Sequence, residues 1–145
     1  MFQHILLPTD GSEPAMRAVQ RGVELARRLG SRVTVMTVLE HFPAGIMASG
    51  YRPHDEPQEI PGLQAANYWL DQAEVVARAA GVPCERLLMR EQKIVYRAIL
   101  DAAQQCGADL IVMGTHGMGL MERLFVGSQT QRVLAHTTIP VLTLH

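Results

Sequence analysis

One glycine-marked stretch of this sequence has the chemistry to hold an anion. Residues 114–128 read Gly-Thr-His-Gly-Met-Gly-Leu-Met-Glu-Arg-Leu-Phe-Val-Gly-Ser. They follow the apolar run Leu110-Ile111-Val112-Met113 and precede Gln129–His136, which can form a helix. A strand that opens into glycines and then a helix start is a common phosphate-holding arrangement. Glycines let backbone N–H groups come close to an anion, and the helix start adds unpaired donors and a favourable dipole. The second segment of interest is Pro8-Thr9-Asp10-Gly11-Ser12, which ends the short apolar strand Ile5-Leu6-Leu7.

Two familiar phosphate motifs fail here. A P-loop requires Gly-x4-Gly-Lys-[Ser/Thr], and the only lysine, Lys93, lies before a different helix. The dinucleotide fingerprint Gly-x-Gly-x-x-Gly requires a third glycine. Gly117-Met118-Gly119 is instead followed by Leu120, Met121 and Glu122, after a fourth rather than a first strand. NAD and FAD are therefore disfavoured. What stands is Gly114-x2-Gly117-x9-Gly127-Ser128.

The elements that must position these segments alternate. Ser12 is an expected N-cap, Pro14 suits the first helical turn and Gly30 the stop. Between them Ala15, Ala18, Val19, Gly22, Val23, Ala26 and Leu29 recur at helical spacing. Arg32–Leu39 is rich in β-branched residues and reads as a strand. Residues 40–62, rich in proline and glycine, read as a surface loop insertion. Leu63, Ala66, Leu70, Ala73, Ala77 and Ala80 mark the next helix, and Cys84–Met89 a third strand. Ile94, Ala98, Ile99, Ala102 and Cys106 mark another helix, stopped by Gly107. Leu110–Met113 is uniformly apolar, as a strand covered on both faces must be, and Val141–Leu144 is the last strand.

Strands alternating with helices predict a parallel sheet with right-handed crossovers. The expected architecture is one α/β domain over residues 1–145, a doubly wound five-stranded parallel sheet of Rossmann-like type with helices on both faces. With order 3-2-1-4-5, the winding reverses between strands 1 and 4. Ligands bind at such a reversal, beyond the carboxyl ends of the strands. The loops 8–12 and 114–128 then flank one crevice.

The two motifs, with this fold, closely resemble the universal stress protein family in its ATP-binding branch, over essentially the whole chain. The resemblance implies an adenine nucleotide alpha hydrolase-like fold and bound ATP or AMP. By residue, it implies that Pro8, Thr9 and Asp10 line the nucleoside part of the pocket and that Val38 meets adenine through its backbone. Met113 and Gly114 pass under the ribose, and His116, Gly117, Gly127, Ser128, Gln129 and Thr130 surround the phosphates. Many relatives carry a basic residue where this chain has Met118, so phosphate charge must be met by backbone, by Arg123, or by a divalent ion such as Mg²⁺ or Mn²⁺. The resemblance also implies a homodimer paired through Val141–Leu144. An exposed edge strand there would otherwise be an association hazard.

Composition narrows the alternatives. A net charge of −1 makes no case for nucleic acid or an anionic membrane surface. No apolar run approaches the roughly 20 residues of a bilayer span, and the N-terminus has no signal-peptide pattern, so cytoplasm is the expected compartment. Cys84 and Cys106 stand apart and are expected to be reduced and buried, not metal-bound. No catalytic residue and no metal site is assigned, and hydrolysis is expected to be slow or absent. The rival readings are a dimeric interaction module that binds no nucleotide but a protein partner, and a weak ATP pyrophosphatase or hydrolase. The latter is disfavoured because Thr9-Asp10-Gly11-Ser12-Glu13 lacks paired glycines.

Overall fold

The computed structural model describes residues 1–39, 62–90, 94–115 and 128–145, with Ser128 described in backbone only. In chain order the elements are β1 (His4–Pro8), α1 (Glu13–Leu29), β2 (Arg32–Leu39), α2 (Leu63–Ala79), β3 (Cys84–Arg90), α3 (Val95–Cys106), β4 (Leu110–Gly114), α4 (Ser128–His136) and β5 (Val141–Leu144). The five strands form one sheet in the order β3-β2-β1-β4-β5. All four pairings are parallel, with Leu7 opposite Val35 and Leu6 opposite Ile111.

Alternation along the strands splits the core into two layers, because successive side chains of a strand point to opposite faces. Ile5, Leu7, Val33, Val35, Leu110 and Val112 pack with Val19, Val23 and Ala26 of α1 and with Leu70, Ala73 and Ala77 of α2. Leu6, Met36, Ile111 and Met113 face the other way and pack with Ile99, Ala102 and Ala103 of α3 and Val133 of α4. Helices thus cover both faces, which is why β1 and β4 carry almost no polar residue. Each large side chain buried this way contributes about 1.5–3 kcal/mol before the entropy of ordering it is subtracted.

The expected caps are present. The Ala15 N–H donates to Ser12 Oγ at 3.3 Å, Pro14 sits in the first turn, and Gly30 closes α1 in the left-handed region. Gly107 closes α3 the same way. Leu29 continues the helical period to the end of α1 and is 46% exposed. One expectation needs correction. Cys84 and Cys106 are free, on β3 and at the end of α3 as expected, but half-buried. Cys84 lies on an edge strand, and Cys106 on the last turn of α3, where coverage is incomplete.

Candidate functional site

β1 and β4 are neighbours, and their chains leave the sheet in opposite directions. β1 leads through α1 to β2 on one side, and β4 leads to β5 on the other. Their carboxyl ends carry the two segments singled out by sequence.

After β1 the chain makes a turn held by its own short side chains. The Thr9 N–H donates to the Met36 carbonyl of β2 at 2.8 Å, which extends the sheet by one bond. The Thr9 side chain is 6% exposed. Its Oγ1 accepts from the Gly11 N–H at 3.1 Å and donates to the Met16 sulfur at 3.6 Å. Asp10 Oδ1 accepts from the Ser12 N–H at 2.9 Å, an Asx turn. The other Asp10 oxygen has no bond among the described residues. The carboxylate is therefore oriented through Oδ1.

Gly11 has φ +77, a conformation costly for any residue with a Cβ. A Cβ built there would lie 2.1 Å from Trp69 Nε1, 2.3 Å from Cε2 and 2.4 Å from Cδ1. The indole of Trp69, from α2, thus rests directly on the Gly11 backbone.

On the β4 side, Gly114 allows a close backbone approach. A Cβ there would lie 3.1 Å from the Pro14 carbonyl oxygen and 3.3 Å from its carbon. The end of β4 therefore lies against the first turn of α1. The Gly114 carbonyl accepts from Thr130 Oγ1 at 2.9 Å, and Thr130 is 3% exposed. That bond fixes the start of α4 to the end of β4. A second tie runs to α3. Ile94 occupies the α3 N-cap and offers no side-chain bond, and Gln129 Oε1 accepts from the Tyr96 N–H at 3.1 Å. The Tyr96 ring stacks on His136 of α4 at 4.9 Å between centroids.

Pro8, Thr9, Asp10, Gly114 and Thr130 therefore gather at one end of β1 and β4. Met113 is next to them, but its side chain is in the second core layer, leaving its backbone at the strand end. Val38 is half-buried near the end of β2, opposite Met89. Gln129 is at the start of α4 with its amide oxygen committed to α3. His116, Gly117 and Gly127 lie outside the described residues, as does the Ser128 side chain. Sequence reading missed Trp69. Its only signal was an aromatic beside core Leu70 in the helix that follows β2.

Other features lie away from this end. A cavity of about 360 Å³ is lined by Leu100, Ala103, Ala108 and Thr137, at the C-terminal half of α3 and therefore toward the opposite end of the sheet. At that opposite end His4 is buried. Its Nε2 lies 2.7 Å from Thr34 Oγ1, and among the described residues Nδ1 has no hydrogen-bond partner of ordinary geometry. Burial and nearby Arg32 push its pKa below the ordinary histidine value. For Asp109, burial acts upward, but N–H bonds from Gln3 at 2.8 Å and His4 at 3.0 Å outweigh it and hold the carboxyl low. Among the described residues no three metal-ligating side chains converge, and no helix is long and apolar enough to cross a membrane.

A parallel doubly wound sheet whose winding reverses between β1 and β4 defines a Rossmann-like α/β protein. The universal stress protein family model matches residues 1–145, and the chain belongs to that family. It is 38% identical over 146 residues to a universal stress protein of Thermus aquaticus, with 98% of each chain covered. It is 32% identical over 144 residues to one of Synechocystis, covering 98% of this chain and 85% of that one. Among solved structures it matches a universal stress protein in complex with cAMP at TM-score 0.69 and 25% identity, covering 99% of this chain and 97% of that one. It matches one from Archaeoglobus fulgidus at TM-score 0.78 and 23% identity, covering 100% of both chains, which shows the shared fold.

Proposed function

We propose that the crevice between the ends of β1 and β4 binds an adenine nucleotide, ATP or AMP. In this reading the protein acts as a nucleotide-responsive stress regulator in the cytoplasm. The observation that carries the reading is the Thr130–Gly114 bond. It brings the start of α4 onto the end of β4, beside the Thr9–Ser12 turn. Unpaired N–H groups of a helix start and a glycine-rich approach would then serve phosphate. An oriented carboxylate, Asp10, would serve the nucleoside. The complex of a relative with cAMP supports the ligand class. His116, Gly117, Gly127 and Ser128 complete the phosphate side in this reading, with Mg²⁺ or Mn²⁺ accompanying ATP. β5 forms a sheet edge with Leu142 40% exposed, and we assign to it the pairing surface of a homodimer.

The test has two parts. The protein as purified is denatured and any released nucleotide identified by mass spectrometry. The apo form is then titrated calorimetrically with ATP, AMP and cAMP. ATP or AMP binds, and Gly117→Val or Ser128→Glu weakens binding by blocking approach or adding like charge. Flat titrations, or unchanged affinity in both variants, would sink the assignment.

A further inference from the structure

We infer that Trp69 is a positioning residue of this site, and that its indole holds the Thr9–Ser12 turn in the shape that receives the nucleoside. The inference rests on the nucleotide reading above and adds a residue to it. Trp69 is the only tryptophan in the chain. Among the described residues it belongs to neither hydrophobic layer, although its neighbours Ala66, Leu70 and Ala73 are fully buried on the core face of α2. Large aromatics dominate core energetics wherever they are placed inside. This one is spent on a turn.

The crossover geometry explains how it reaches. α2 runs against the direction of the strands, so its first turns lie at the carboxyl end of the sheet, where β1 also ends. Trp69 is in that half of the helix. Its Nε1, Cδ1 and Cε2 edge meets Gly11 so closely that no Cβ fits between them. The turn beneath depends on two bonds, Gly11 N–H to Thr9 Oγ1 and Ser12 N–H to Asp10 Oδ1. Each is weak by itself, because water competes for the same groups. An indole lying on the turn excludes that water and removes the alternative conformations of a glycine. The carboxylate of Asp10 is thereby oriented before ligand arrives, and binding is spared the entropy of ordering it.

The experiment compares ATP titrations of wild type, Trp69→Ala and Trp69→Phe by calorimetry, with hydrogen exchange at the Gly11 and Ser12 amides. Trp69→Ala is expected to weaken ATP about tenfold and to speed exchange at both amides, with cooperative unfolding retained. Trp69→Phe, which keeps an aromatic edge on the turn, is expected to stay within about threefold of wild type. In wild type the tryptophan emission, which reports this residue alone, shifts on saturation with ATP. Unchanged affinity in Trp69→Ala overturns the inference and leaves the nucleotide reading standing. A flat wild-type titration with ATP, AMP and cAMP overturns both. If Trp69→Ala does not fold, wild-type emission that stays constant while calorimetry registers binding overturns the inference by itself.

Discussion

Substituting Gly11 by alanine should cost stability in two separable ways, and the second depends on Trp69. The first is backbone strain. At φ +77 an alanine sits in the left-handed region, at about 1–2 kcal/mol. The second is overlap. The new methyl would lie 2.1–2.4 Å from three atoms of the indole five-membered ring, where ordinary contact begins at 3.4 Å. The ring is rigid and must retreat as a body, by about 1 Å or more. Overpacking of this kind costs about 1–3 kcal/mol. Gly11→Ala should therefore lose about 2–5 kcal/mol in the wild-type background. In a Trp69→Ala background only the strain remains, about 1–2 kcal/mol. Trp69→Ala alone should cost about 2–4 kcal/mol, somewhat below the value for a fully buried tryptophan, since the side chain is only partly buried. The four proteins of the cycle are compared by urea unfolding without nucleotide, because a ligand bound to the native state would add its own stabilisation. The two measured costs of Gly11→Ala should differ by about 1–3 kcal/mol. Equal costs in both backgrounds, within about 0.5 kcal/mol, would refute the contact as described.

Two further outcomes are expected. Thr130→Val keeps the shape of the side chain but leaves the Gly114 carbonyl without its buried donor, so the urea midpoint should fall by an amount equal to about 1–3 kcal/mol, whereas Thr130→Ser should retain most of the stability. A Thr130→Val protein as stable as wild type would show that α4 is not fixed by this bond. His4, faced by Arg32, Glu85, Asp109 and Thr34, has a folded pKa below its unfolded value of 6.5. As pH falls through about 6.5 the unfolded chain takes up a proton that the buried imidazole refuses, so stability is lost, by up to about 1.4 kcal/mol per pH unit. Unfolding followed from pH 7.5 to about 5 should show a steeper loss in wild type than in His4→Gln. Identical slopes would rule the imidazole out as the cause.

Much of the local structure was legible because its causes are local. Ser12, Gly30 and Gly107 act on backbone groups three or four positions away, and Pro14 through its own fixed φ, so their roles follow from spacing alone. The strand order was legible for a different reason. Right-handed crossovers between parallel strands leave few topologies for five strands alternating with helices. Cys84 and Cys106 were expected to be buried and are half-buried, because a helical or strand period records which side a residue faces, not whether neighbouring elements cover it completely. That the Gln129 amide oxygen caps α3, a helix whose own N-cap, Ile94, offers no side-chain bond, was not legible, because the two residues lie far apart in sequence.

The sequence by itself determined the class of fold, the alternation of its elements and the two strands, β1 and β4, between which the winding reverses. Glycine spacing, β-branched runs and caps each express a preference of a few consecutive residues. What tertiary structure alone decided is how those segments are held. The Thr130 hydroxyl on the Gly114 carbonyl, Gln129 on Tyr96 and the Trp69 indole on Gly11 each join distant parts of the chain. Such contacts depend on the angle and height at which a helix settles on the sheet, and that placement is set by packing the two core layers as a whole. No short window of sequence contains it. Trp69 illustrates the difference: in sequence it is one aromatic beside a core leucine, and in the fold it is the roof of the turn that presents Asp10.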